Sequence, residues 1–147
     1  MAAYRVVRVL LVEDNPDDIE IARRAFKRRS DVQTTVLRDG QEVLDAFCEQ
    51  AAGEPPDGER PDMILLDLNL PRVNGFEVLE RVRAEPSLRA IPVVVLTASA
   101  QPDDVLRAYQ LGANSYIQKP VSFQEFSRLL EVVGTYWLTI AKLPYAP

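Results

Sequence analysis

Among its 147 residues the chain has no histidine. That absence removes histidine general bases, Ser-His triads and imidazole metal ligands, and with them many enzyme classes. Cysteine is almost missing too. Cys48 stands alone, which excludes an internal disulfide and suits a reducing compartment. Its neighbours Leu44, Phe47 and Ala51 predict a packed thiol rather than a reactive one. No apolar run is long enough to span a bilayer, and Arg5 and Arg8 interrupt the first, which argues against a signal peptide. A cytoplasmic protein with no membrane partner is the default expectation. Excess positive charge is also lacking. The net charge of −5 argues against nucleic acid as a partner, because non-specific binding needs a basic face. The basic cluster Arg23, Arg24, Lys27, Arg28 and Arg29 reads as a solvated helix face, with partner docking as the alternative.

What the chain does have is an ordinary globular composition, 47% hydrophobic and 27% charged, in a length that fits one domain. Segment types alternate along it. Arg5–Val12 is a continuous apolar run, as expected for a strand covered on both faces. Asp17–Arg29 carries a helical stripe of Ile19, Ala22 and Phe26 behind Pro16, a residue favoured in a first turn. Val32–Arg38 predicts a second strand, and Gln41–Ala52 a helix with Leu44, Phe47 and Ala51 in register. Gly53–Pro61 is the most loop-like stretch and the place for tolerated insertion. Met63–Leu66 and Ile91–Leu96 are strands, separated by a helix near Phe76–Ala84. Pro102–Leu111 is the fourth helix, stopped by Gly112. Ser115–Gln118 is the fifth strand. Ser122–Val133 is the fifth helix, with a capping box at Ser122 and Glu125 and with Phe123, Phe126, Leu130 and Val133 facing inward. Repeated strand–helix alternation predicts an α/β fold, a doubly wound five-stranded parallel sheet in the order 2-1-3-4-5.

In such a sheet, ligands bind outside the carboxyl ends of the strands. Glu13–Asp14, Asp67, Thr97 and Lys119 each follow or close a strand run, so the fold delivers them to one rim. Three carboxylates at close quarters raise one another's pKa unless a cation compensates. A hard ion with oxygen ligands answers that need, and Mg²⁺ prefers a few carboxylates with waters and phosphate. Acids also favour helix N-termini, so the Glu13–Asp14 pair alone leaves both readings open. Asp67 is harder to place otherwise, because a carboxylate directly after Met63–Leu66 is costly to desolvate without a partner. An ammonium and a hydroxyl donor suit a phosphoryl oxygen. Alone, Thr97 reads as a strand residue and Lys119 as a solvated lysine; their conjunction on one edge carries the weight. Lys119–Pro120 is a candidate cis peptide, which would aim the lysine inward.

The words VLLVEDNPDD, MILLDLNLPRVNG, IPVVVLTASA and GANSYIQKP, in that order and over residues 5–134, resemble the receiver domain of two-component response regulators. The resemblance implies the flavodoxin-like receiver fold. It implies Asp67 as phosphoacceptor, and Glu13, Asp14, Asp67 and Asn69 as the Mg²⁺ site, Asp14 as a direct ligand, Glu13 through water and Asn69 through its backbone carbonyl. Lys119 matches the lysine that pairs with the phosphoryl group. Thr97 matches the switch hydroxyl and Tyr116 the aromatic whose rotation follows it. Asn69, Ala98 and Ser99 flank the site and are expected to tune the acyl-phosphate lifetime. The implied function is a signalling domain, not an enzyme, that takes a phosphoryl group from a partner histidine kinase. The resemblance further implies signalling through the face of helix four, strand five and helix five. A phosphorelay intermediate and an aspartyl-phosphate hydrolase are the alternatives; Asn at position 69, where a hydrolase usually has a second acid, disfavours the latter.

The expected division is a receiver over residues 1–134 and an extension over 135–147. That tail is aromatic and apolar. Leu129, Val133, Trp137 and Ile140 continue a helical face, and exposed apolar surface of this kind marks an interface, with a tail folded back onto its own domain as the alternative. Its YWL…LP ending resembles the response regulators that partner bacterial and cyanobacterial phytochromes, which implies a phytochrome-type kinase as partner. It also implies a homodimer through Phe126, Tyr136, Trp137, Ile140 and Leu143.

Overall fold

Runs of valine, isoleucine and leucine pair side by side, and the segments between them coil over both faces of the sheet they make. The computed structural model describes residues 5–48 and 60–144. In chain order the elements are β1 (Val7–Val12), α1 (Pro16–Lys27), β2 (Val32–Leu37), α2 (Gly40–Val43), β3 (Met63–Leu66), α3 (Gly75–Ala84), β4 (Val93–Thr97), α4 (Pro102–Gln110), β5 (Ser115–Gln118) and α5 (Phe123–Thr135). Wide π-helical turns prolong α2 over Leu44–Cys48 and α5 over Tyr136–Ile140. The strands pair in parallel in the order β2-β1-β3-β4-β5, as the alternation predicts.

The pleat sends alternate residues to opposite faces. Leu10, Val12, Ile64, Leu66, Val93 and Val95 join Phe76, Leu79 and Val82 of α3 and Ala108 of α4 in one core. Val9, Leu11, Met63, Leu65, Val94 and Leu96 join Ile19 and Phe26 of α1 and Leu130 of α5 in the other. Burial on both faces is why the central runs read as unbroken apolar stretches rather than alternating ones. Asn15 caps α1 by accepting from the Asp17 and Asp18 N–H groups, ahead of Pro16 at the first helical position. Gly112 ends α4 at φ +106°, in the left-handed region where a side chain is strained. Cys48 is half-buried and packs against the α3-side core, consistent with the expected packed thiol.

Helix five departs from its expected orientation at its first residue. Phe123 is 59% exposed rather than inward, because the first turn overhangs the sheet rim; Phe126, one turn on, is 3% exposed and lies in the core. Phe126 therefore has no surface to lend to a dimer interface, which corrects its expected role. Trp137 packs partly against the α1–α5 core, while Ile140 is 64% exposed. The wide turn advances fewer degrees per residue than an α-helix, so Ile140 rotates off the stripe that Val133 and Trp137 share. Arg29, just past the end of α1, clasps this turn, donating to the Thr135 hydroxyl at 3.0 Å and the Thr139 hydroxyl at 2.9 Å. Helix two keeps its helical form only to Val43 before widening. Residues 49–52 of its expected length, and all of the insertion-tolerant loop except Arg60 and Pro61, lie outside the described residues.

Candidate functional site

Strand register brings the chemistry to one level. Val12 pairs with Leu66, and Leu66 with Val95, so the residues just beyond emerge together at the carboxyl edge. The ladder also extends one step past the strands. Asp67 N–H donates to the Val12 carbonyl at 3.0 Å, and Lys119 N–H donates to the Thr97 carbonyl at 2.8 Å. The loop after Asp67 folds back tightly, with Gly75 N–H donating to the Leu68 carbonyl at 2.9 Å. A Cβ at Gly75 would overlap the Asp67 carbonyl oxygen, so glycine is needed for this approach. Farther along the loop Arg72, at φ +66°, makes two 3.1 Å hydrogen bonds to Asp39, tying the loop to the start of α2.

The carboxylate oxygens of Glu13, Asp14 and Asp67 come within 4.8 Å of one another. Glu13 and Asp67 are buried, whereas Asp14 is exposed. Asp67 Oδ1 accepts from the buried Thr97 hydroxyl at 2.7 Å and from the Asn69 N–H at 3.1 Å. Its Oδ2 accepts from Lys119 Nζ at 3.1 Å. Lys119 reaches inward with Lys119–Pro120 in the trans form, so the candidate cis peptide is not what aims it. Four methylenes and attraction to the acidic floor suffice to turn the ammonium in. Beyond Asp67 it meets Glu13 Oε1 at 2.5 Å and Asp18 Oδ2 at 2.8 Å. Tyr116 is half-buried and donates its hydroxyl to the Ser99 carbonyl at 2.8 Å, on the loop that follows Thr97. Asp18 was missed by the sequence reading. Its signal was available: it stands one helical turn past Asp14, on the same end of α1.

Electrostatics follow from crowding. Burial pushes Glu13 up to about 7 from 4.5, and the nearby Asp67 carboxylate adds to the rise. Its hydrogen bond to Lys119 works the other way but does not prevail, because one ammonium is divided among three carboxylates. The same contacts raise Lys119 above its ordinary value despite desolvation, so it stays protonated at any working pH. Burial also raises the Tyr116 phenol, which keeps it a donor. A carboxylate raised on folding stabilises the fold below about 4.5, and that contribution is lost as pH climbs through about 7.

The donor set is all oxygen, held close and short of positive charge, which fits a hard divalent cation. Glu13, Asp14 and Asp67 would hold it. Binding must displace the Glu13 proton below about pH 7. Mg²⁺ affinity is therefore expected to rise about fivefold between pH 6 and 7 and to level off above. Titration calorimetry in buffers of different ionisation enthalpy should show close to one proton released per ion near pH 6. A pH-independent affinity with no proton release contradicts the assignment.

Comparison with known proteins agrees with this site. The family model described as "Response regulator receiver domain" matches residues 9–131. Response regulator Rcp1 of Synechocystis sp. is 39% identical over 139 residues, covering 94% of this chain and 93% of the relative. The probable methanogenesis regulatory protein FilR2 of Methanothrix harundinacea is 44% identical over 131 residues, 88% of this chain and 83% of the relative. The crystal structure of the phosphorylated cyanobacterial phytochrome response regulator RcpA superposes with a TM-score of 0.89 at 36% identity, covering 95% and 99% of the two chains. The Mn²⁺-bound form of Rcp1 gives 0.86 at 36% identity over the same shares. That Rcp1 structure holds a divalent metal, and the oxygen donors gathered here suit such an ion. With strand order, acidic rim and end-to-end similarity in agreement, the chain is a member of the response regulator receiver domain family, a signalling protein with a phosphoacceptor role.

Proposed function

We propose that Asp67 is the phosphoacceptor, that Mg²⁺ is its working cation, and that the donor is the phosphohistidine of a phytochrome-type sensor kinase. The observation that carries this is the set of contacts on one carboxylate: hydroxyl and N–H donors on one oxygen, an ammonium on the other. Asp67 attacks the phosphorus; the new P–O bond forms as the P–N bond to the donor imidazole breaks, and the imidazole takes up a proton. Lys119 and the Thr97 hydroxyl neutralise charge on the transferring group. The bound cation supplies charge neutralisation on the phosphoryl oxygens. With no histidine in the chain, the donor imidazole belongs to the partner. Thr97 and Tyr116 then bias the face of α4, β5 and α5 between two arrangements, which is the output. The protein assists its own phosphorylation and dephosphorylation without turning over small substrates, and works in the cytoplasm; no described helix is long and apolar enough to cross a membrane.

The phytochrome assignment draws on the likeness to Rcp1 and to the phytochrome response regulator RcpA. Residues 1–134 form the receiver and 135–147 an arm for a homodimer. The surface available to that arm is Tyr136 and Ile140, exposed beside Val132, with Trp137 and Leu143 half-buried. A phosphotransfer assay against a panel of kinases tests the pathway. Transfer from the phytochrome-type kinase should be fastest, and equal transfer from unrelated kinases removes the assignment. Onward transfer from Asp67 to a histidine phosphotransfer protein would make it a relay intermediate instead. Light scattering at high micromolar concentration should give the mass of a dimer; a monomer excludes the arm's role.

A further inference from the structure

Lys119 touches three carboxylates, and one of them has no part in the chemistry above. Asp18 Oδ2, in the first turn of α1, lies 2.8 Å from Lys119 Nζ, nearer than Asp67 Oδ2 at 3.1 Å. Among the described residues, the acids able to share a cation are Glu13, Asp14 and Asp67; Asp18 stands outside that group. An ammonium has three protons to donate, and three carboxylates engage it here. A phosphoryl oxygen on Asp67 can gain Lys119 only if one of these contacts is surrendered. When Glu13 turns to a cation one proton is released, but Asp18 still draws the ammonium toward α1. Asp18 is also the contact most easily given up. Its side chain is 20% exposed, against 3% for Glu13 and 6% for Asp67, so water can replace the lysine there at least cost. It lines a cavity of about 450 Å³ between α1 and the Pro120–Phe123 segment, room enough for such water.

We propose that Asp18 is a positioning residue that holds Lys119 in a resting pose against α1, and that the lysine leaves it for a phosphoryl oxygen when Asp67 is modified. This rests on Asp67 as the acceptor. Asp18 thereby competes with the phosphoryl group for the ammonium, and its charge faces the incoming anion as well. Both effects act against phosphorylation, so their removal speeds it.

The test compares the full-length protein with Asp18→Asn, which keeps the shape and loses the charge, and with Asp18→Ala as a second truncation. At saturating Mg²⁺, both variants should bind beryllofluoride, a phosphoryl mimic, about fivefold more tightly and accept phosphate from acetyl phosphate about fivefold faster. Mg²⁺ affinity measured without beryllofluoride should be unchanged or weaker, since a nearby negative charge is gone. Tighter beryllofluoride binding without tighter Mg²⁺ binding separates positioning from a structural role, which would weaken both. Asp18→Glu should return all values toward wild type. Beryllofluoride affinity equal to or weaker than wild type in the Asn and Ala variants overturns the proposal. If the wild-type protein takes up neither beryllofluoride nor phosphate, the acceptor assignment itself fails, and the role of Asp18 with it.

Discussion

Asp67→Asn is expected to abolish acyl-phosphate formation while leaving the fold intact. The amide keeps the outline of the carboxylate, so the Thr97 hydroxyl and Asn69 N–H still find an acceptor oxygen. Lys119 keeps Glu13 and Asp18. What disappears is the nucleophile, because a neutral amide has no anionic oxygen to attack phosphorus. The loss in rate should be on the order of a thousandfold or more, as for other covalent nucleophiles. Stability without metal should hold or rise, since one buried negative charge is withdrawn from an acidic site. Mg²⁺ affinity should fall, because one of the clustered carboxylates is neutralised. Intact-mass detection of a hydroxylamine-sensitive phosphoryl adduct, from acetyl phosphate or a kinase, reads the first effect; thermal melting reads the second. Undiminished labelling of Asp67→Asn refutes the acceptor assignment.

Lys119→Met should produce the largest loss of metal-free stability. The side chains of Lys119, Glu13 and Asp67 are 10%, 3% and 6% exposed, so the charges left behind cannot simply be rehydrated. Removing one partner from a buried ionic group costs about 3 kcal/mol, which for a domain of this size lowers the melting temperature by about 10 °C. The deficit has a definite sign with pH. Glu13 is raised to about 7 even with the lysine present and rises further without it, so protonation relieves the strain as pH falls. Near pH 5 the gap to wild type should shrink. Mg²⁺ should also narrow it, because the variant has no ammonium competing with the ion for Glu13 and Asp67, binds it more tightly than wild type, and so gains more stability from it. Melting curves near pH 5 and 7, with and without Mg²⁺, check all three statements. A metal-free melting temperature within about 2 °C of wild type near pH 7 would show that Lys119 does not hold these carboxylates.

Much of the frame was legible before any coordinates. Strands covered on both faces must be apolar throughout, and helices between them must show a 3.6-residue stripe; both patterns are local. The parallel order and its carboxyl rim then follow from alternation, and Glu13, Asp14, Asp67, Thr97 and Lys119 converge as their positions implied. Other features were not written in spacing. Phe123 and Phe126 occupy one helical stripe, yet only the distance of each from the sheet rim decides that the first is exposed and the second buried. Arg83 gave no signal at all, although its guanidinium binds the Gly112, Arg89 and Ile91 carbonyls and the Asn114 side chain, fastening α3 to the segments on either side of β4.

The amino-acid order by itself determined the fold class, the strand order and the residues brought to the rim, because periodicity and strand-end position are properties of short stretches of chain. Only the tertiary structure decided which acids share the Lys119 ammonium, that Asp18 is one of them, and that Trp137 turns inward while Ile140 does not. Partnerships of that kind depend on ångström-scale placement of helices against strands far away in the chain. Hydrogen bonds and ion pairs weaken over fractions of that distance, so no local pattern can specify them.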